Sequence, residues 1–225
     1  GALVVGACSP TDILSIGAKT DFGAFGPFIK IGEDGAVTVI SKHVELGQGN
    51  HAGLAAIVAE ELDADWSKVK VEQAPAIAKV YANLGMGAQG TGGSTAISNS
   101  WEQLRKAGAA ARAMFVEAAA GRWNVPAGEI AVKDSVVSHA SGKSATFADL
   151  LADAAKATPP KTPTLKDPKT FTLIGTDRVR RKDSAAKSTG TALYTQDVHL
   201  PDMLTAMVLH APRFGAKLAS FDAAE

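Results

Sequence analysis

The chain has 225 residues and a mass of 23.1 kDa, room for one large domain or two small ones. Its charge is balanced, 23 Lys plus Arg against 23 Asp plus Glu, which argues against a nucleic-acid or polybasic-membrane binder; the single cysteine, Cys8, excludes a disulfide framework and a Cys-built metal site. A composition 46% hydrophobic and 20% charged is that of a globular chain, and 22 glycines beside 6% aromatics point to close backbone packing and glycine-dependent loops.

No apolar stretch reaches the roughly 20 residues a membrane helix needs. The opening Gly-Ala-Leu-Val-Val-Gly-Ala-Cys-Ser-Pro supports two readings. It is the tail of a signal-peptide core, with Val5-Gly6-Ala7-Cys8 similar to a lipoprotein processing site, or it is an apolar N-terminal arm. The first reading puts the protein outside the cytoplasm and allows membrane association through this segment.

Phe28–Ile31 and Val37–Ile40 alternate apolar and polar residues around Gly32-Glu33-Asp34-Gly35-Ala36, which predicts a hairpin. After the glycine-punctuated loop Val44–Asn50, Leu54, Ile57, Val58 and Leu62 recur at helical spacing. This predicts a helix over His51–Leu62, capped by Asn50 and ended by Asp63-Ala64-Asp65-Trp66. Val69–Glu72 reads as a short strand. A second glycine-rich stretch, 83–95, runs into an Ala-rich helical pattern from Ala96 to Trp123 with Leu104, Ala111, Met114 and Phe115 on one side and Gly121 and Pro126 as stops. Ile130–Val132 and Val136–His139 form a second predicted hairpin. A helix over Phe147–Ala157 is expected to start on Thr146, with Asp149 as its capping partner. Residues 158–169 hold four prolines in twelve positions, an extended linker and the best domain boundary. Beyond it, Phe171–Ile174, Ala192–Tyr194 and Leu204–Leu209 are strand-like, and about 55 residues make a poor independent domain, so this second domain is expected to be incomplete.

Two loops are candidate binding elements. Gly47-Gln48-Gly49 lets a backbone approach a ligand closely, Gln48 offers a donor and an acceptor, and a following helix adds free N–H groups suited to a phosphate. Thr91-Gly92-Gly93-Ser94-Thr95 repeats that arrangement ahead of the second helix. Each is also readable as a plain turn leading into a helix. Neither has the Gly-Lys-Ser/Thr ending of a P-loop or a spaced dinucleotide fingerprint. Taken together, two uncharged loops without a local lysine suit an extended ligand held by backbone and amide groups. The five histidines, His43, His51, His139, His199 and His210, lack ligand spacing and read as surface or packed residues. Ser9, Ser94 and Ser98 sit in no nucleophile elbow. Glu60-Glu61 reads as a solvated face, and Arg178–Lys182 as a solvated loop or a contact with a partner protein. No catalytic residue and no metal ligand is assigned within this chain.

Val44-Glu45-Leu46-Gly47-Gln48-Gly49-Asn50-His51 resembles the Glu-Met-Gly-Gln-Gly-x-His segment of molybdenum hydroxylases of the xanthine oxidase family. Thr91–Thr95, the Ser100–Ala113 helix, and the stretches Arg180–Asp183, Ala186–Gly190 and Tyr194–Leu204 strengthen the likeness, which spans roughly residues 27–222. Leu46 stands where Met is more usual, a change of little volume. Gly-Gln-Gly precedes the hammerhead-like segment, the order of the branch typified by the β subunit of isoquinoline 1-oxidoreductase and related periplasmic aldehyde dehydrogenases. The resemblance implies an α+β fold: an N-terminal arm or signal remnant (1–26), part of a mixed-sheet molybdopterin-binding domain with packed helices (27–157), a linker (158–170) and the incomplete start of an α/β hammerhead domain (171–225). It also implies a molybdopterin, in bacteria usually the cytosine dinucleotide, contacted by Gly47, Gln48 and Gly49 and lined by Thr91, Gly92, Gly93, Ser94 and Thr95. The implied reaction hydroxylates an N-heterocycle or oxidises an aldehyde with water-derived oxygen. Implied partners are the remainder of the large subunit, a small subunit with [2Fe–2S] clusters, a cytochrome c acceptor and a small-molecule substrate. The family's glutamate base is not in this sequence, so the chain is expected to be inactive alone. A non-catalytic exported scaffold of the same fold and a nucleotide-binding module outside redox chemistry are the competing expectations.

Overall fold

The computed structural model describes residues 22–220. The readings made at Gly1–Pro10, and the rest of the arm to residue 21, lie outside the described residues. The chain divides into two units, one of which is Ala18–Ala185 and the other of which contains Ala186–Glu225.

The first sheet is mixed, as expected. Strand β1 (Ile29–Ile31) pairs antiparallel with β2 (Val37–Ser41), Ile29 opposite Val39 and Ile31 opposite Val37. Helix α1 (Asn50–Leu62) then carries the chain to β3 (Val69–Gln73), which lies parallel to β2 with Val37 opposite Val69. Parallel pairing demands such a crossover. The stripe Leu54, Ile57, Val58 and Leu62 is buried, but so are Glu60 and Glu61. That overturns their reading as a solvated face, and their partners are described below. Asp63 ends α1 in the left-handed region (φ 57°).

A short helix α2 (Ala78–Tyr81) sets Tyr81 into the core, its hydroxyl donating to Pro27 O at 2.8 Å. Helix α3 (Ala96–Trp123) has the expected span and buries Leu104, Ala111, Met114 and Phe115. Gly121 does not stop it. A glycine inside a helix costs about 1 kcal/mol, too little against the packing, and the terminator is Asn124 (φ 53°), whose N–H returns to Ala120 O. The second sheet is antiparallel: β4 (Ile130–Lys133), β5 (Val136–His139) and β6 (Ser144–Thr146). The three-residue β6 carries no apolar alternation, so nothing in the sequence announces it. Thr146 and Asp149 make the expected capping box on α4 (Phe147–Ala154), which ends three residues short of Ala157. Phe115 joins the layers by stacking on Phe147 (centroids 4.1 Å apart) and on Phe25 (5.5 Å).

The Pro-rich segment is tied to both long helices: from α3, Arg112 Nη2 donates to Thr164 O (3.2 Å) and Arg105 Nη2 to Lys166 O (2.6 Å), and Lys166 N donates to Glu61 Oε2 of α1 (3.0 Å). The strands expected at 171–174, 192–194 and 204–209 do not form. At 172–174 the backbone N–H groups are taken by the Glu60 carboxylate rather than by a ladder. At 192–209 no strand among the described residues pairs with the segment, and Leu204, Met207 and Leu209 are almost fully exposed. Alternation marks a strand only where a neighbouring edge supplies the ladder.

Candidate functional site

The loop 42–49 leaves the end of β2 and delivers the chain to α1. Gly47 (φ 108°) and Gly49 (φ 91°) both adopt a backbone that a side chain resists. This turns the N–H groups of Gly47, Gly49 and His51 toward one point. The chain's own Glu45 occupies that point: Oε1 accepts from Gly47 N (2.7 Å) and Gly49 N (2.9 Å), and Oε2 from His51 N (3.0 Å). Burial alone would raise the Glu45 pKa, but the N–H groups of Gly49, His51 and Gly47 outweigh it and hold the carboxyl below its ordinary value. The phosphate-ready helix end expected after Gly47-Gln48-Gly49 is therefore filled. Asn50 is not the cap; Gly49 is, and Asn50 begins the helix. Sequence reasoning misses Glu45, although an acid just before a Gly-x-Gly turn is a legible signal for such an internal anion.

Gln48 is also partly committed. Its Oε1 accepts from Leu46 N (2.6 Å) and its Nε2 donates to Val44 O (2.9 Å), leaving one donor hydrogen and one acceptor lone pair for anything else.

The loop 83–95 is built around the fully buried Asn83. Its Nδ2 donates to Thr95 Oγ1 (2.9 Å) and its Oδ1 accepts from Gly85 N (2.9 Å). Gly93 (φ 61°) and Ser94 (φ 55°) turn the chain into α3. Here the helix end is open: Thr95 makes no side-chain cap, its hydroxyl donating back to Gly92 O (2.9 Å), and the first turn of α3 contains no acid. The positive end of a 28-residue helix is thus uncompensated by side chains at this point.

Thr91 joins the two loops. Its Oγ1 accepts from Val44 N at 2.9 Å and faces His43 Nδ1 at 3.4 Å. Burial and the neighbouring Lys42 charge lower the His43 pKa, so the ring is neutral near pH 7. Asn99 Nδ2 lies 3.2 Å from His43 Nε2 and also meets Thr95 O, so the amide donates to Nε2 and the ring proton sits on Nδ1, toward Thr91. Replacing Thr91 with valine keeps the volume and removes the acceptor. Faster amide exchange at Val44, with a loss of about 1 kcal/mol in urea unfolding, is the expected outcome; wild-type protection at Val44 would refute the tie.

Between the loops lies a cleft of about 410 Å³ lined by Leu46, Gln48, Asn50, Thr91, Gly92, Ser94, Thr95, Ala96 and Ile97. Of the predicted residues, Gln48, Thr91, Gly92, Ser94 and Thr95 line it, whereas Gly47, Gly49 and Gly93 shape the loops without lining it. No lining residue is charged.

The basic run 178–182 is at the surface, with Arg178, Arg180 and Arg181 exposed as a solvated loop would have them, but it also makes specific contacts. Arg181 Nη1 donates to Gly47 O (2.7 Å) and Nη2 lies 3.3 Å from Glu45 Oε1. Lys182 donates to Trp66 O with its ammonium 4.1 Å from the Trp66 ring centroid, and Arg178 pairs with Asp134 (3.4 Å).

A family model described as a molybdopterin cofactor-binding domain matches residues 5–205. The chain is 39% identical over 223 residues to the β subunit of isoquinoline 1-oxidoreductase from Brevundimonas diminuta, covering 84% of this chain and 28% of that protein. It is 36% identical over 212 residues to the membrane-bound aldehyde dehydrogenase [pyrroloquinoline-quinone] of Gluconacetobacter polyoxogenes, covering 90% of this chain and 26% of the relative. Identity to a subunit of nicotinate dehydrogenase from Pseudomonas putida is 32% over 208 residues, 86% of this chain and 16% of that relative. The chain therefore spans 16–28% of the length of these relatives.

Proposed function

Because the chain belongs to the molybdopterin cofactor-binding domain family, we propose that the cleft between the 42–49 and 83–95 loops takes part of a molybdopterin. The protein is read as part of the large subunit of an oxidoreductase that hydroxylates an N-heterocycle or oxidises an aldehyde with water-derived oxygen. The observation that carries this reading is the meeting of two glycine-rich loops on one uncharged cleft at an uncompensated helix end. The donor set fits such a group. The first-turn N–H groups of α3 suit its phosphate, and the remaining Gln48 amide valences suit a polar heterocycle. When bound, the cofactor supplies the redox centre. This chain's residues bind and orient it: Glu45 stiffens one wall, and Thr91 fixes that wall to the other.

The finer proposals follow the same reading. The cofactor is the cytosine dinucleotide form. Electrons leave through a small [2Fe–2S] subunit toward a cytochrome c. Residues beyond the linker begin a hammerhead domain completed by the rest of the large subunit, and the location is periplasmic, in keeping with the signal-like opening of the chain.

Placing a carboxylate at the open helix end tests the cleft. Aspartate tolerates the left-handed backbone at position 94 and favours a helix N-terminus by about 0.3–1 kcal/mol. Ser94→Asp is therefore expected to melt no lower than wild type while the full-length protein loses about tenfold in pterin and molybdenum content, as unfavourable charge near the bound phosphate demands. Wild-type pterin content in Ser94→Asp, or a quinone in place of a pterin in the native protein, would overturn the reading.

A further inference from the structure

We propose that Arg181 is a positioning residue for the cleft, holding the Gly47–Gln48 peptide so that the Gln48 N–H is presented to a bound ligand. The inference rests on the reading of the cleft as a molybdopterin site.

An exposed ion pair alone contributes little. Arg181 is different in its number of anchors and in where they lie. Asp183 holds one edge of the guanidinium, accepting from Nε at 3.0 Å and Nη2 at 2.7 Å. That bidentate grip fixes the plane of the fork. Nη1 is then directed at the Gly47 carbonyl (2.7 Å), and Nη2 reaches Glu45 Oε1 (3.3 Å), the oxygen that already accepts from Gly47 N and Gly49 N. One cation thus grips both the carbonyl of the turn and the carboxylate inside it.

The consequence comes from peptide geometry. In a trans peptide the carbonyl of one residue and the N–H of the next point in opposite directions. Pinning Gly47 O to Arg181 therefore turns the Gln48 N–H away from Arg181. That N–H has no hydrogen-bond partner among the described residues, while those of Gly47, Gly49 and His51 are all taken by Glu45. Gln48 lines the cleft. The loop so offers an uncommitted backbone donor at a residue that lines the cleft, and the residue that sets its direction is 134 positions away from Gly47. Without Arg181 a glycine-flanked peptide is free to flip, because glycine readily occupies both signs of φ.

The test uses the full-length protein and three variants, Arg181→Ala, Arg181→Lys and Arg181→Gln. Three measurements are made: amide exchange at Gly47, Gly49 and His51, pterin content with the circular dichroism of the bound chromophore, and the melting temperature. Arg181→Ala is expected to speed exchange at those three amides about tenfold, leave exchange in the middle of α3 unchanged, and lower pterin content or alter its dichroism. Arg181→Lys keeps the charge beside Glu45 but lacks the fork, so it restores protection only in part; Arg181→Gln restores less. Unchanged exchange in Arg181→Ala would overturn the clasp. Faster exchange with wild-type pterin content and dichroism would overturn the positioning role. Absence of pterin from the wild-type protein would instead overturn the reading of the cleft, a result the exchange data cannot produce.

Discussion

Replacing Glu60 with alanine is expected to destabilise the protein by about 3–5 kcal/mol in urea unfolding at pH 7, the cost of stripping one partner from a buried ionic group. Glu60 is 1% exposed. Its carboxylate accepts from the backbone N–H groups of Thr172 (3.0 Å), Leu173 (2.7 Å) and Ile174 (3.0 Å) and lies 3.4 Å from Lys166 Nζ. Alanine leaves those donors facing an apolar void, each at its own desolvation cost. The same carboxylate makes stability depend on acid. Burial pushes its pKa up, but the Ile174, Thr172 and Leu173 N–H groups and the Lys166 charge outweigh burial and set it below the ordinary value. A group depressed in the folded state binds its proton more readily when unfolded. Its contribution is therefore complete above the unfolded carboxylate pKa of about 4.3 and is lost as pH falls through the lower folded value. Glu60→Ala should flatten that part of the acid-unfolding curve relative to wild type. A loss under 1 kcal/mol, or an undiminished acid slope in the variant, would show that Glu60 does not hold the 172–174 segment.

The contacts that are legible in the sequence are those whose causes are local. The 28-residue span of α3 follows from alanine content and apolar spacing, and its open start from the Gly-Gly-Ser-Thr lead-in. The capping box of Thr146 and Asp149 is a three-residue relation. The first hairpin is an alternation broken by Gly35. What stays hidden depends on partners far along the chain. Glu60 and Glu61 look like a solvated acidic pair until residues 105–114 positions away close over them. Arg181 looks like part of a surface basic run until its 134-residue contact with Gly47 is seen. Glu45 is the instructive exception: its partners are two to six residues away, and the acid ahead of Gly47 and Gly49 is enough to identify an internally satisfied turn. In sequence the two loops look like equivalent helix ends. The structure separates them, one closed by its own carboxylate and the other open on the cleft.

Gly108→Ala sets two magnitudes of opposite sign against each other. Alanine in a helix interior is favoured over glycine by about 1 kcal/mol, so a reading of α3 alone expects a more stable protein. Packing forecasts the reverse. A Cβ at position 108 would lie 2.6 Å from Val58 O and 2.9 Å from Glu61 Cβ, and the first of these is backbone, which cannot rotate aside. Helices α1 and α3 would have to separate, and overpacking of this kind costs about 1–3 kcal/mol or more. The shift would also strain the buried pair between Glu61 and Arg105, which are 2.6 Å apart. We therefore expect Gly108→Ala to be destabilised by up to about 2 kcal/mol after the propensity gain is subtracted, and Gly108→Val by more, since the β-branch adds volume at the same contact. Because α1 begins at the end of the 42–49 loop and α3 at the end of the 83–95 loop, any separation of these helices moves the two walls of the cleft apart. Pterin content should then fall further in Gly108→Val than in Gly108→Ala. An alanine variant that melts above wild type would mean that the helices relax around the new methyl at no cost, and that close approach at Gly108 does not set the spacing of the site.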